Sequence, residues 1–582
     1  MYEKAASLYE ELYNRNPLNF VFFDGLHKMC VQLKEYEKAI ALVQRRLERQ
    51  PTDLALLGTL GEDYLKAGKE AEARAAWERA LATDEKNPTV YRYVSNILFQ
   101  NRLFTDGVDV LLRGRKNIGQ SNLFAMDLGY AYTILGRYSE ATKEYVHALQ
   151  ENPTSLNLVE SRIAMYTAKP DGLASAIGAA KGGIQEDTKN VTLHRLLAWL
   201  YLEGKQFEGA FAVYRLIDQL SSSGGQELLS FADRAFKEKA YKVAAQAFGE
   251  VIERYPKAPL VAVAKFGLAR VIEDISAKRD SLGSSGEAVE RGPEFPVGET
   301  NLTYGSAIAS YDEIVRNYPG SEYALQALYR IGVIKFDRFF DIDGALQTFD
   351  RVDEQFPRNR LASAVALKAG EILIAKGELG VAAERFSKVG VIPLSTQSEK
   401  DKATYALAEL DYFRGLYDSA LVKLKSLVTN LSADIANDAL LLQEFIKEHR
   451  TRDGLALKEY ARAELLERQR KFSEAITVLE KLIDTETTAP LVDDAMLKLG
   501  QLERKLGQPM RALSIYQRLI VEHPESILLD EAQLGIGEIY ESSLNDRQKA
   551  IAAYRELLEK HPDSLHLDEV RKRIRQLRGD AL

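Results

Sequence analysis

The chain has 582 residues, far more than one ordinary globular core holds, so several domains or one repetitive array are expected. Charged residues make up 28% and apolar residues 46%, and 77 basic against 85 acidic side chains leave a net charge of −8, which excludes wholesale disorder and argues against nucleic acid as a partner. One cysteine, Cys30, excludes a disulfide framework and any cysteine-rich zinc module, and no apolar run of about 18 residues is present to span a bilayer.

In chain order the sequence reads as pairs of amphipathic helices. Tyr2-Glu3-Lys4-Ala5 matches the start of a pair's second helix, closed by Pro17, so the chain is expected to begin mid-pair, with upstream residues, with or without an export signal, supplying the first helix. His27 and Cys30 stand three apart on the next helix but fill core slots, and two ligands complete no metal site. A regular unit follows: Leu60-Gly61-x-x-Tyr64, Gly68, Ala73-x-x-x-Trp77 and Ala80. Another reads Leu128-Gly129-x-x-Tyr132, Gly136, Ala141-x-x-x-Tyr145, Ala148 and Pro153. Residues 154–190 are degenerate, because Pro170-Asp171-Gly172 interrupts the pattern and the Gly- and Ala-rich second half packs little volume. The Ser221-Ser222-Ser223-Gly224-Gly225 run reads as a flexible joint.

Beyond it, Gly267 to Ala307 spans 40 residues where 12 separate Gly61 from Ala73, so about 28 are inserted. Residues 275–303, with four glycines, Pro293 and Pro296, are expected to form a long exposed loop; the glycosylation triplet Asn301-Leu302-Thr303 is put down to chance. Two helix-like stretches, 432–448 and 455–469, precede a single second-helix segment around Ala475, which places one extra helix there and a second joint. Leu499-Gly500, Gly507, Ala512-x-x-x-Tyr516 and Pro524 restore the pattern. His523 and His561 each precede a closing proline and read as structural. Residues 565–578, with Arg571, Lys572, Arg573, Arg575 and Arg578, read as a terminal helix that caps the last hydrophobic face.

The closing prolines fix the period: Pro17 to Pro51 is 34 residues, Pro490 to Pro524 is 34 and Pro524 to Pro562 is 38. This period and the Leu-Gly-x-x-Tyr, Ala-x-x-x-aromatic spacing resemble the tetratricopeptide repeat (TPR) family. The resemblance implies an all-α, right-handed superhelix (α-solenoid) of about 14 helical hairpins with a C-terminal capping helix. The expected division is an array over 1–220, a second over 226–428 and a third over 429–582 that includes the cap. The linker style of the later units is similar to that of bacterial cell-envelope TPR proteins. The family's groove is lined mainly by each hairpin's first helix, which here implies Lys28, Glu62, Arg92, Asn96, Tyr130 and Trp199, with Met126, Ile134, Leu196 and Leu202 nearby. The dicarboxylate clamp of chaperone-binding members is incomplete, since only Arg92 with Asn96 matches.

No phosphate-binding Gly-rich loop, zinc-binding H-E-x-x-H or G-x-S-x-G elbow is present. The reading is a non-enzymatic scaffold that binds a protein or peptide, needs no cofactor or metal, and holds its partner around Lys28, Arg92, Asn96, Tyr130 and Trp199. The alternatives are the substrate-recruiting arm of an enzyme whose catalytic domain lies elsewhere, and a cell-envelope or cell-wall-associated TPR protein. Compartment and oligomeric state are left open: cytoplasmic, or periplasmic if an export signal precedes these residues.

Overall fold

The computed structural model describes residues 2–283, 302–428, 435–450, 454–485 and 490–580. Among the described residues there are 31 α-helices and no strand, and the structure is 79% helical. No described helix is long and apolar enough to cross a membrane. Contacts divide the chain into two compact units, Met1–Leu260 and Val261–Leu582.

The repeating element is an antiparallel hairpin whose first helix is capped by a short polar side chain. Asn19, Asp53, Asn87 and Asn190 accept from backbone N–H groups in the first turn of their helices, and Ser321 and Thr396 do the same later in the chain. The turn between the two helices places one residue in the left-handed region. In the first unit these residues are Lys34, Gly68, Arg102 and Gly136, each 34 after the last, then Asp171, Lys205 and Lys239. Asp171 (φ 58°) holds that slot, so Pro170-Asp171-Gly172 is the hairpin turn arriving on schedule rather than a break. Gly172 is obligatory there, because a Cβ would stand 1.9 Å from the Tyr166 carbonyl oxygen.

The motif glycines let the helices touch. A Cβ on Gly61 would meet the Trp77 ring at 2.2 Å, and one on Gly129 would meet Tyr145 at 2.5 Å. The aromatic thus lies across the glycine of its own hairpin. Tyr516 also reaches the next one, filling the space between Gly500 and Gly535. In the degenerate hairpin, Leu156–Thr167 and Gly172–Glu186, small residues serve a different end. Ala176, Ala180 and Gly183 are buried, and a Cβ on Gly183 would strike Val146 at 2.4 Å, so this helix packs closely on Tyr138–Glu151.

The 221–225 segment lies inside the first unit as a hydrogen-bonded turn. Buried Asp218 accepts from the Gly225 N–H (3.0 Å), from the Tyr255 hydroxyl (2.5 Å) and from Ser223. The exposed loop expected over 275–303 is corrected where it is described. Helix Val261–Gly283 runs on through buried Ile275 and Ser276, because the apolar period continues through Ile272 and Ile275, and Leu302 is buried as well. Residues 284–301, including Asn301, lie outside the described residues, as do 429–434 at the expected start of the third array.

The extra helix is present: Ala436–His449 packs on Tyr417–Val428, ahead of the hairpin Leu455–Arg468 and Phe472–Thr485. At the end, Leu567–Arg578 lays buried Val570 and Ile574 on the core of the last hairpin. Its Arg573 reaches Glu538 and Glu541 at 3.0 and 3.1 Å, stitching the cap to the first helix of the last hairpin, Leu529–Glu538, and its continuation.

Candidate partner-binding faces

In the first unit, the first helices of three successive hairpins, Pro88–Gln100, Ala125–Ile134 and Leu156–Thr167, line a groove of about 640 Å³. Its apolar wall is Phe99, Phe104, Met126, Tyr130 and Leu158, and its polar groups are Asn96, Gln100, Asp127 and Arg162. Tyr130 is 37% and Leu158 50% exposed, large apolar side chains facing solvent side by side. The Arg162 guanidinium stands over the Tyr130 ring at 5.5 Å and orients it.

The five residues singled out from the sequence fare differently. Asn96 and Tyr130 line this groove together. Arg92 is exposed, but its Nε donates to Asp127 at 3.1 Å and its guanidinium covers Phe124. It pairs with a groove carboxylate from outside and does not itself line the groove. Trp199 is half-buried against the first unit's core and does not line the groove. Lys28 is exposed, paired with Asp24 at 2.7 Å, and also outside the groove. Its neighbour His27 donates from Nε2 to the Asp63 carboxylate, 2.6 Å away, a link between successive first helices, while Cys30 is buried and burial pushes its thiol pKa up.

The second unit holds a larger cavity, about 800 Å³. Helix Leu455–Arg468 packs back on Gln397–Phe413 and on Ala362–Lys376, and the space they enclose is walled by Phe336, Phe340, Tyr405, Tyr412, Phe413 and Phe472. Asp337, Glu371, Glu409, Glu464 and Glu467 line it, with Arg468, Arg470, Lys498 and Lys505. Burial, with Glu464, Asp438 and Glu371 nearby, raises the Glu409 pKa although Arg468 approaches to 2.8 Å. Tyr412 donates to Glu464 at 2.8 Å, and its own pKa lies well above the usual phenol value, first because of burial. Among the described residues, no group of three or more His, Cys, Asp or Glu side chains could hold a metal ion.

Family models described as tetratricopeptide repeat match residues 59–122, 125–155, 326–359, 494–526 and 531–564. The chain carries tetratricopeptide repeats. A curated relative, tetratricopeptide repeat protein 21B of Mus musculus, is 25% identical over 174 residues; that stretch is 29% of this chain and spans 13% of the relative. Among solved structures, the chain is similar to a tetratricopeptide repeat protein from Parabacteroides merdae, at 13% identity over 53% of this chain and 97% of that one, with a TM-score of 0.29. It is also similar to yeast Tom70, at 14% identity over 97% and 96% of the two chains, with a TM-score of 0.21. The repeats and their fold support a protein-interaction scaffold.

Seen as TPRs, the first-unit groove falls on first-helix positions that the sequence marks, and Phe99, Gln100 and Met126 belong to the same rows as Asn96 and Tyr130. The cavity residues Tyr405, Glu409, Arg468 and Arg470 do not stand out in any motif. Their one sequence signal is the extra helix before Ala475, which breaks the hairpin alternation at the place where the TPR array folds back.

Proposed function

We propose that this chain is a non-enzymatic scaffold that holds a peptide segment of a protein partner in the first-unit groove. The supporting observation is the pairing of an apolar wall (exposed Tyr130 and Leu158, half-buried Met126) with the exposed amides Asn96 and Gln100, one helical turn apart. Amides both donate and accept, so they suit a peptide backbone, and the wall supplies the desolvated anchor. Of the groove's two charges, Asp127 pairs with Arg92 and Arg162 stands over the Tyr130 ring, so recognition is carried by shape and amide contacts. The test is a pulldown with the whole chain, followed by calorimetric titration of the partner. Tyr130→Ala is expected to weaken binding by about 2 kcal/mol with helicity unchanged. Unchanged affinity for both Tyr130→Ala and Leu158→Ser would remove the groove from the reading, and reproducible substrate turnover by the chain would remove the non-enzymatic part.

A further inference from the structure

Two residues at the hairpin turn after Leu455–Arg468, Arg468 and Arg470, reach far back along the sequence. The Arg470 guanidinium lies over the Phe340 ring at 4.1 Å and donates to the Asp337 carbonyl oxygen at 3.5 Å, 133 residues away. Arg468 donates to Glu409 at 2.8 Å, 59 residues away. Arg470 itself sits in the left-handed region (φ 57°), a backbone that a non-glycine residue adopts at a cost. The turn is thus held against the end of Glu322–Asp337 and the turn that follows it, and against Gln397–Phe413, by guanidinium contacts to an aromatic face, a carbonyl and a carboxylate.

Those contacts are the ones a basic peptide makes when bound. The site has the same chemistry elsewhere: Lys368 stands 5.0 Å from the Phe336 ring while paired with Asp337 at 2.7 Å and Glu371 at 3.0 Å. Carboxylates therefore recur on successive first helices, Asp337, Glu371, Glu409 and Glu464, beside aromatic rings, around a cavity large enough for several side chains. We propose that the Arg468-Gln469-Arg470 turn is an internal ligand, and that the cavity it closes in the second unit takes an arginine-containing peptide segment that competes with this turn. An internal competitor lowers apparent affinity by the fraction of chains in which the site is open, so removing it should tighten binding without any new contact.

The probe is a fluorescein-labelled Gly-Arg-Gln-Arg-Gly peptide titrated with the full chain and read by fluorescence anisotropy. The Arg468→Ala/Arg470→Ala double variant is expected to bind it at least about tenfold more tightly than the wild type. Adding Glu409→Gln, which removes the carboxylate that Arg468 holds, to that variant should abolish the gain, and the acidic analogue Gly-Glu-Gln-Glu-Gly should not bind. Circular dichroism establishes that each variant keeps wild-type helicity. A folded double variant that binds no more tightly, or equal binding of the acidic analogue, overturns the proposal. Should the double variant not fold, the wild type decides by hydrogen exchange: the basic peptide at saturation should speed exchange at residues 469–472, and unchanged exchange there overturns the idea equally.

Discussion

The hairpin turns concentrate strain in single residues. Lys239 is exposed at φ 61°, in a slot where Gly68 and Gly136 sit without strain in their own turns. A left-handed lysine costs about 1–2 kcal/mol, and glycine gives back about 0.5–1 of that through its freer unfolded state. Lys239→Gly is therefore expected to raise stability by about 0.5–1 kcal/mol, seen as a higher urea midpoint with an unchanged slope. At Gly129 the sign reverses. Its Cα faces the buried Tyr145 ring, and a Cβ at 2.5 Å can only be housed by moving that ring or the helices. Gly129→Ala should cost about 1–3 kcal/mol, the range of overpacking. Had Gly129→Ala no effect on the midpoint, close helix contact through glycine would not be what holds this hairpin.

Single helices show how the array is patched where the repeat fails. The extra helix Ala436–His449 ends on His449, whose Nε2 lies 3.3 Å from Asp494 on Val492–Lys505. Burial, then Asp493 and Glu448, push the Asp494 pKa from 3.8 up to about 7. Ser526 hydrogen-bonds Asp493 rather than Asp494, and His449 is itself driven downward by burial. A raised folded-state pKa means the native chain binds the proton more tightly than the unfolded one. Asp494 thus contributes stability that is full below about pH 4 and lost as pH rises through about 7. His449, lowered in the fold, works in the opposite sense, so the comparison with Asp494→Asn isolates the aspartate. The variant should match the wild type near pH 4 and exceed it by about 1–3 kcal/mol at pH 8. A parallel pair of stability curves would mean that Asp494 is ionised normally. The terminal helix is a second patch, and Arg573 holds it through Glu538 and Glu541. Arg573→Ala should cost about 1–3 kcal/mol, the worth of charged hydrogen bonds. Hydrogen exchange would speed first in Leu567–Arg578 and then in Arg547–Lys560.

At the scale of the chain, what was legible in the sequence is what nearest neighbours decide. Leu60-Gly61 and Ala73-x-x-x-Trp77 encode a contact within one hairpin, so period, helix pairing and capping helix follow from local pattern. The groove was half legible: Asn96 and Tyr130 lie where first-helix positions point, but whether Trp199 is covered depends on the neighbours that pack around it. The second-unit cavity was not legible, since the approach of Arg470 to Phe340 depends on the geometry of every hairpin between them. Nearest-neighbour cohesion has a measurable consequence. Both tryptophans, Trp77 and Trp199, belong to the first unit, so tryptophan fluorescence reports that unit while far-ultraviolet circular dichroism reports all helices. Tyr145 is fully buried in the first unit's core and Tyr516 in a core of the second. Truncating either to alanine should cost about 3–5 kcal/mol where it packs. Tyr145→Ala should lower the fluorescence midpoint in urea and leave the late part of the dichroism transition in place. Tyr516→Ala should lower part of the dichroism transition and leave the fluorescence midpoint unmoved. If each substitution instead shifted both signals together, the two units would unfold as one cooperative body, and the separate cores would not set separate stabilities.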